Sequence, residues 1–199
     1  NLTAHGVESI SQLLTGWIAE RLYWQHDVSL HPEIGREEIS QPIFITGMPR
    51  TGTTKLQRVL SCDSKNQHLP LWQILNPSRR LIENEKRSQK DPRILIANEF
   101  IELLKKSNSS FLTAHPMFSE EAEEESFLIE SDLKSLSNCT RVRAPSYWNA
   151  IKDQTTRESY DFLKSMLQYI QWQRGSSNTP WILKSPLHIG RLKNLLEVF

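Results

Sequence analysis

The residues best suited to chemistry form one short run, GMPRTGTT, at positions 47–54. A phosphate group needs several backbone N–H donors converging on it and a cation to offset its charge. Gly47 lets the chain turn sharply, and Gly52 lets the backbone approach an oxygen atom closely. Arg50 supplies charge with a two-pronged contact, and Thr51, Thr53 and Thr54 carry hydroxyls beside it. The spacing of the glycines is that of the nucleotide-triphosphatase loop GxxxxGK[ST], but Thr53 stands where that motif has the lysine that reaches the β- and γ-phosphates. ATP or GTP hydrolysis is excluded on that ground. A cation before the second glycine and Thr-Thr after it suit a cleavable group carried on one 5′-phosphate. Lys184 is a second candidate, because it follows the apolar Trp181-Ile182-Leu183 and precedes Ser185-Pro186. That places an ammonium at a strand end, where open α/β sheets bind ligands.

Such a loop requires a strand before it and a helix behind it. After Pro42, the run Ile43-Phe44-Ile45-Thr46 is short, apolar and β-branched, as in a buried parallel strand. Residues 53–60 offer Leu56, Val59 and Leu60 for burial and predict the helix that packs back on the sheet. Trp181-Ile182-Leu183 predicts a second strand, and a helix carrying Ile189, Leu192, Leu195, Leu196 and Phe199 follows. Helical spacing also marks residues 8–24, with Ile10, Leu13, Leu14, Trp17, Ile18 and Leu22 as the buried stripe. Asp91-Pro92 opens a helix through Leu104, and further helices are predicted over 120–133 and 156–174, the last capped by Gly175. The charge-rich stretch 79–93 reads as a solvated surface.

The fold class is therefore α/β, a P-loop-like parallel sheet flanked by helices with a helical insertion between the first two strands. We divide the single domain over 1–199 into an N-terminal helical segment (1–40), the strand-loop-helix nucleotide site (41–62), a mainly helical acceptor-side insertion (63–178) and a strand-turn-helix (179–199). The chain begins without Met and stops inside the apolar-periodic LKNLLEVF, so it reads as a fragment with the C-terminal part of the fold missing.

At 199 residues and 38% hydrophobic content, one sizeable core is expected. Lys+Arg number 24 against Asp+Glu 23, so no overall field points to nucleic acid or a membrane surface as partner, and any anion site is local. Cys62 and Cys139 have no metal-ligand or CxxC spacing, which gives no support for zinc or a disulfide framework and makes a reducing, cytoplasmic compartment the expectation. No apolar run approaches the ~20 residues needed to span a bilayer.

The run PIFITGMPRTGTTKLQRVL resembles the sulfotransferases, whose 5′-phosphosulfate loop is a basic residue, Ser or Thr, then Gly-Thr-Thr, here Pro49 through Thr54. It is similar in particular to the branch with an arginine in that loop. HPMFSEEAEEESFL and WILKSPLHIGRLKNLLEVF extend the likeness, in the family's order, over most of residues 40–199. The resemblance implies 3′-phosphoadenosine 5′-phosphosulfate (PAPS) as donor, no metal, and a small-molecule or glycan hydroxyl or amine as acceptor. It also implies a catalytic base in a histidine–glutamate pair. His115 is the match for the histidine and Glu124 the best match for its partner, with Glu123 next. Lys184 and Arg50 would hold the sulfuryl and leaving-group oxygens. His188 reads as a polar residue of a first helical turn. Lys55 stands where the cytosolic enzymes stack a tryptophan on adenine, and the 3′-phosphate segment is expected beyond Phe199. Two other readings remain: a kinase, for which the lysine at position 53 and a magnesium-binding acid are not evident, and a non-catalytic nucleotide-binding domain.

Overall fold

The computed structural model describes residues 3–78, 90–152, 157–175 and 178–199. Helix α1 (Ala4–Leu30) opens the chain, with Thr3 accepting from the Gly6 N–H as its cap. Strand β1 (Ile43–Ile45) and helix α2 (Thr53–Ser61) follow, then strand β2 (Gln67–His68) and helix α3 (Leu71–Leu75). Helices α4 (Pro92–Ser107), α5 (Ser109–Ala114), α6 (Ser126–Ile129), α7 (Pro145–Ile151) and α8 (Arg157–Gln173) come next. Strand β3 (Trp181–Lys184) and helix α9 (Leu192–Leu196) close the order. Most of the predicted stretch 79–93 and the predicted helix start at Thr156 lie outside the described residues.

Among the described residues the sheet is parallel, in the order β1-β3-β2, with Ile45 opposite Lys184 and His68 opposite Ile182. The last strand in sequence is thus the central one, and all four of its residues are buried. Its apolar run is what a strand covered on both faces requires. The helical insertion lies between the second and third strands, because the two-residue β2 precedes it. Nothing apolar announces β2. It is held by polar clamps instead: Gln67 donates to the Gln171 side chain at 3.1 Å, and the Trp181 indole N–H donates to the same oxygen at 3.0 Å.

The core gathers on α8, where Tyr160, Leu163, Met166, Leu167 and Ile170 pack with Trp181 and Leu183 of β3, Leu69 and Leu128. Burying one such aliphatic side chain contributes about 1.5–3 kcal/mol relative to leaving it in water. Three expected apolar faces are less covered than predicted. On α1 the stripe is half-buried, and Ile18 and Leu22 are exposed. That helix docks through charge: Glu20 accepts from the Ser78 N–H at 2.8 Å, Arg21 sits 3.6 Å from Asp132, and Asp27 takes the Tyr169 hydroxyl. On α2, Leu56 and Val59 are exposed, and the residue facing inward is Gln57, which donates to the Glu123 carbonyl at 3.2 Å. After β3, a single 3-10 turn, Pro186–His188, and a left-handed Gly190 separate α9 from the strand, so Ile189, Leu192 and Leu196 are exposed while Leu195 and Val198 are buried.

The predicted helix over 120–133 is the largest correction. Residues 119–123 pass from a turn at 119–120 into a single bridge beside 69–72: the Trp72 N–H donates to the Ser119 carbonyl, the Leu71 N–H to Glu121, and the Glu123 N–H to Leu69, with a bridge between Pro70 and Ala122. Only Ser126–Ile129 is α-helical, followed by the 3-10 turn Glu130–Asp132. Acidic residues at a helix start gain only about 0.3–1 kcal/mol from the dipole when exposed, and Glu123, Glu125 and Glu130 are buried here. Their specific partners override the local preference.

Candidate active site

Strands β1 and β3 end side by side, and the Ser185 N–H donates to the Ile45 carbonyl at 3.2 Å. Both chain exits therefore leave the same carboxyl edge of the sheet. From β1 issues the glycine loop. A Cβ at Gly47 would lie 3.2 Å from Thr53 Cγ2 and 3.4 Å from Thr51 Oγ1, so the turn closes tightly around this residue. Thr51 Oγ1 donates to the Met48 carbonyl at 2.7 Å and so closes the loop on itself. Gly52 caps α2 from the left-handed region, φ 88°, with no side-chain acceptor for the first-turn N–H groups. Arg50 is also left-handed, φ 68°, a conformation that costs a non-glycine residue about 1–2 kcal/mol. Its side chain is exposed.

From β3 issues Lys184. Its side chain is 2% exposed, and its ammonium is ion-paired with Glu124 Oε1, while Glu124 Oε2 accepts from the Ser126 hydroxyl at 3.1 Å. Among the described residues Lys184 is thus a buried cation whose carboxylate partner is Glu124.

His115 follows α5 as its cap residue, its N–H bonded to the Phe111 carbonyl at 2.7 Å. Its Nε2 lies 2.9 Å from Glu123 Oε1. Glu123, not Glu124, is its carboxylate partner, and the same oxygen accepts from the Glu124 N–H at 2.9 Å. The two neighbouring glutamates therefore divide the work, one holding the imidazole and one the ammonium. The non-helical backbone here separates them in a way that the predicted helix would not.

Pro49, Arg50, Gly52, Thr53, Thr54, His115, Glu124 and Lys184 all line one cavity of about 580 Å³. Phe111, Ala114, Phe127 and Leu187 give it apolar wall, and Glu130 and Ser137 lie at its far side. Gly47 and Thr51 are not on its wall. The sequence reading ranked Glu123 second to Glu124 and missed Phe127 and Glu130, and only the apolar character of Phe127 hinted at burial. Burial pushes the Glu130 carboxyl above its usual value, and the nearby guanidinium of Arg141, whose Nε donates at 2.7 Å, offsets this only in part. Ligand atoms of His115, Glu123 and Glu124 lie within 4.8 Å of one another, a spacing that a divalent cation can bridge. Both carboxylates, however, already have protein partners in His115 and Lys184. Among the described residues no helix is long and apolar enough to cross a membrane, and Cys62 and Cys139 are free thiols.

A family model described as the sulfotransferase family matches residues 42–199. Two solved structures are similar over essentially the whole chain. One is the sulfotransferase STF1 from Mycobacterium tuberculosis H37Rv, with TM-score 0.71 and 27% identity, covering 100% of this chain and 53% of that one. The other is the sulfotransferase STF9 from Mycobacterium avium, with TM-score 0.76 and 25% identity, covering 99% of this chain and 50% of that one. The chain thus spans about half the length of these relatives. A search of curated proteins finds no match.

Proposed function

The chain belongs to the sulfotransferase family, and on that premise we propose that the protein moves a sulfuryl group from PAPS to the hydroxyl or amine of an acceptor. One observation carries the reading: the phosphate-loop residues, a buried ammonium and a histidine backed by a carboxylate surround the same cavity. Its volume lies in the range of about 300–1,000 Å³ typical of small-molecule sites.

In the proposed reaction, the first-turn N–H groups of α2 and the Arg50 guanidinium hold the 5′-phosphosulfate, the helix dipole favouring its negative charge. The acceptor oxygen attacks sulfur. As that S–O bond forms, the bond from sulfur to the bridging oxygen breaks, and adenosine 3′,5′-bisphosphate leaves with the electron pair. Charge builds on the bridging oxygen, where a cation is worth most in a site that excludes water. Lys184 is the cation for that task. An ammonium has three N–H donors, so pairing with Glu124 leaves donors for the donor oxygens.

The acceptor proton goes to His115. Glu123 accepts from Nε2–H, which leaves Nδ1 as the basic nitrogen, and Nδ1 has no hydrogen-bond partner among the described residues. A carboxylate behind an imidazole fixes its tautomer and steadies the imidazolium that forms. Phe111, Ala114, Phe127 and Leu187 supply apolar walls for the acceptor's carbon skeleton.

The test is incubation of the full-length polypeptide with ³⁵S-labelled PAPS and a panel of alcohols, phenols, amines and glycans. Labelled sulfate ester or sulfamate should appear with at least one acceptor, and calorimetry should register binding of adenosine 3′,5′-bisphosphate. A protein that does not bind this nucleotide would end the reading.

A further inference from the structure

Behind the cavity lies a second histidine–glutamate pair that the reaction above does not use. His188 and Glu125 have side chains 1% and 0% exposed, and His188 Nε2 lies 2.6 Å from Glu125 Oε1. The other ring nitrogen, Nδ1, lies 3.0 Å from the Tyr160 hydroxyl on α8. The other carboxylate oxygen, Glu125 Oε2, accepts from the backbone N–H of Lys184 at 2.7 Å. The imidazole also meets the Phe44 ring of β1 edge-on, with centroids 5.3 Å apart.

The directions of these bonds follow from the groups present. A backbone N–H can only donate, so Glu125 Oε2 is an acceptor. The Glu125 Oε1 carboxylate oxygen accepts from Nε2–H, and in the neutral imidazole this leaves Nδ1 to accept from the Tyr160 hydroxyl, whose proton is retained because burial pushes the phenol up to about 12. The result is one chain of bonds from α8 through His188 and Glu125 to the end of β3, with each polar atom named above satisfied. Ser185, not His188, caps the turn after the strand, accepting from the Leu187 N–H at 3.1 Å.

Two consecutive glutamates thus grip one lysine at both ends: Glu124 at its ammonium and Glu125 at its backbone N–H. A buried polar chain of this kind is a weak source of stability, because apolar side chains of similar volume stabilise as well or better. Its value lies in fixing geometry.

We infer that Tyr160, His188 and Glu125 are positioning residues that hold the carboxyl end of β3 so that the Lys184 ammonium is aimed into the cavity. The inference rests on the sulfotransferase reading of that cavity and adds residues to it that touch neither donor nor acceptor. A misplacement of a catalytic group by about 1 Å can cost on the order of 100-fold in rate, so the chain matters although it makes no contact with the reacting atoms.

The test is a double-substitution cycle in the full-length polypeptide, read as kcat in the labelled-sulfate assay. His188→Ala should lower kcat about 10- to 100-fold while changing the affinity for adenosine 3′,5′-bisphosphate by less than about threefold. In a Lys184→Met background, with the ammonium already gone, the same change should cost less than about twofold. His188→Gln, whose amide N–H can still donate to Glu125, should recover most of the lost kcat. If His188→Ala does not fold, Tyr160→Phe carries the cycle, since it removes only the donor to Nδ1; a loss of about threefold is expected, again only while Lys184 is present. Equal losses with and without Lys184, or a loss that follows the folded fraction in thermal melts, would overturn the positioning role and leave the sulfotransferase reading standing. An unsubstituted protein that neither binds the nucleotide nor transfers sulfate would overturn both.

Discussion

The glycine loop and the acidic segment face each other across one cavity, yet they are built in opposite ways. Residues 47–54 offer backbone: exposed, left-handed at Arg50 and Gly52, and without a side-chain cap on α2. Residues 119–130 offer side chains: Glu123, Glu125 and Glu130 are buried and each is paired with a base or cation. On the proposed reading, the wall that is to accept a multiply charged donor leaves its N–H groups unspent. A site that must aim an imidazole and an ammonium commits its carboxylates in advance, because a buried ionised carboxylate without partners would cost several kcal/mol. Recognition is left open on one wall and orientation is settled on the other.

The sharpest way to break this contrast is on the committed side. His115→Ala should lower turnover by about 10²- to 10⁴-fold, the usual worth of a general base, while binding of adenosine 3′,5′-bisphosphate stays within about twofold. Kinetics combined with calorimetry would check this, and unchanged turnover would remove His115 from the mechanism. The open side should respond in the other measurement. Arg50→Ala should weaken the same nucleotide by roughly 10- to 100-fold, since a charge-assisted hydrogen bond is worth about 1.5–3 kcal/mol. Equal binding by both proteins would take the loop out of the argument.

The smallest expected effect concerns Glu130. Its carboxyl is held above the usual value mainly by burial, so the folded protein keeps this proton at pH values where the unfolded chain has lost it. The contribution to stability is therefore full below the unfolded value and is lost as pH rises through the folded one. Melting curves of Glu130→Gln should fall less steeply over that interval than those of the parent, with a difference on the order of a few °C. Parallel curves would mean that the carboxyl is not charged at the expense of the fold.

The contrast also explains what the sequence could and could not reveal. The loop, its strand and its helix were legible because backbone chemistry leaves a compositional mark: Gly47 where the turn is tight, Gly52 where φ is positive, β-branched residues before them, threonines at the helix start. Lys184 was legible because β3 is apolar throughout and ends in a charge. The acidic wall was not. EEAEEE satisfies helix preferences, and nothing in its spacing tells a solvated glutamate from one buried against His115, Lys184 or His188. Glu124 stood first as the partner of His115 on the resemblance alone, and the course of residues 119–123 that brings Glu123 there instead is set by bonds to residues 69–72, far away in sequence. Strand β2 escaped for a related reason. Two polar residues carry no apolar signal, and their place in the sheet depends on Gln171 and Trp181. His188, read as a polar residue of a first helical turn, is buried, and its two ring nitrogens both find partners.

The pairing of β1 with β3 has a consequence of its own. Ile43, Phe44 and Ile45 align with Ile182, Leu183 and Lys184, and this short ladder works as a vernier between the glycine loop and the Lys184 ammonium. Its settings are discrete. A slip of one residue would turn every side chain of the strand to the other face of the sheet, and a slip of two would restore the face but move the loop by about 6–7 Å along the strand. The distance between the glycine loop and the ammonium can therefore not drift by small steps. It is either in register or lost.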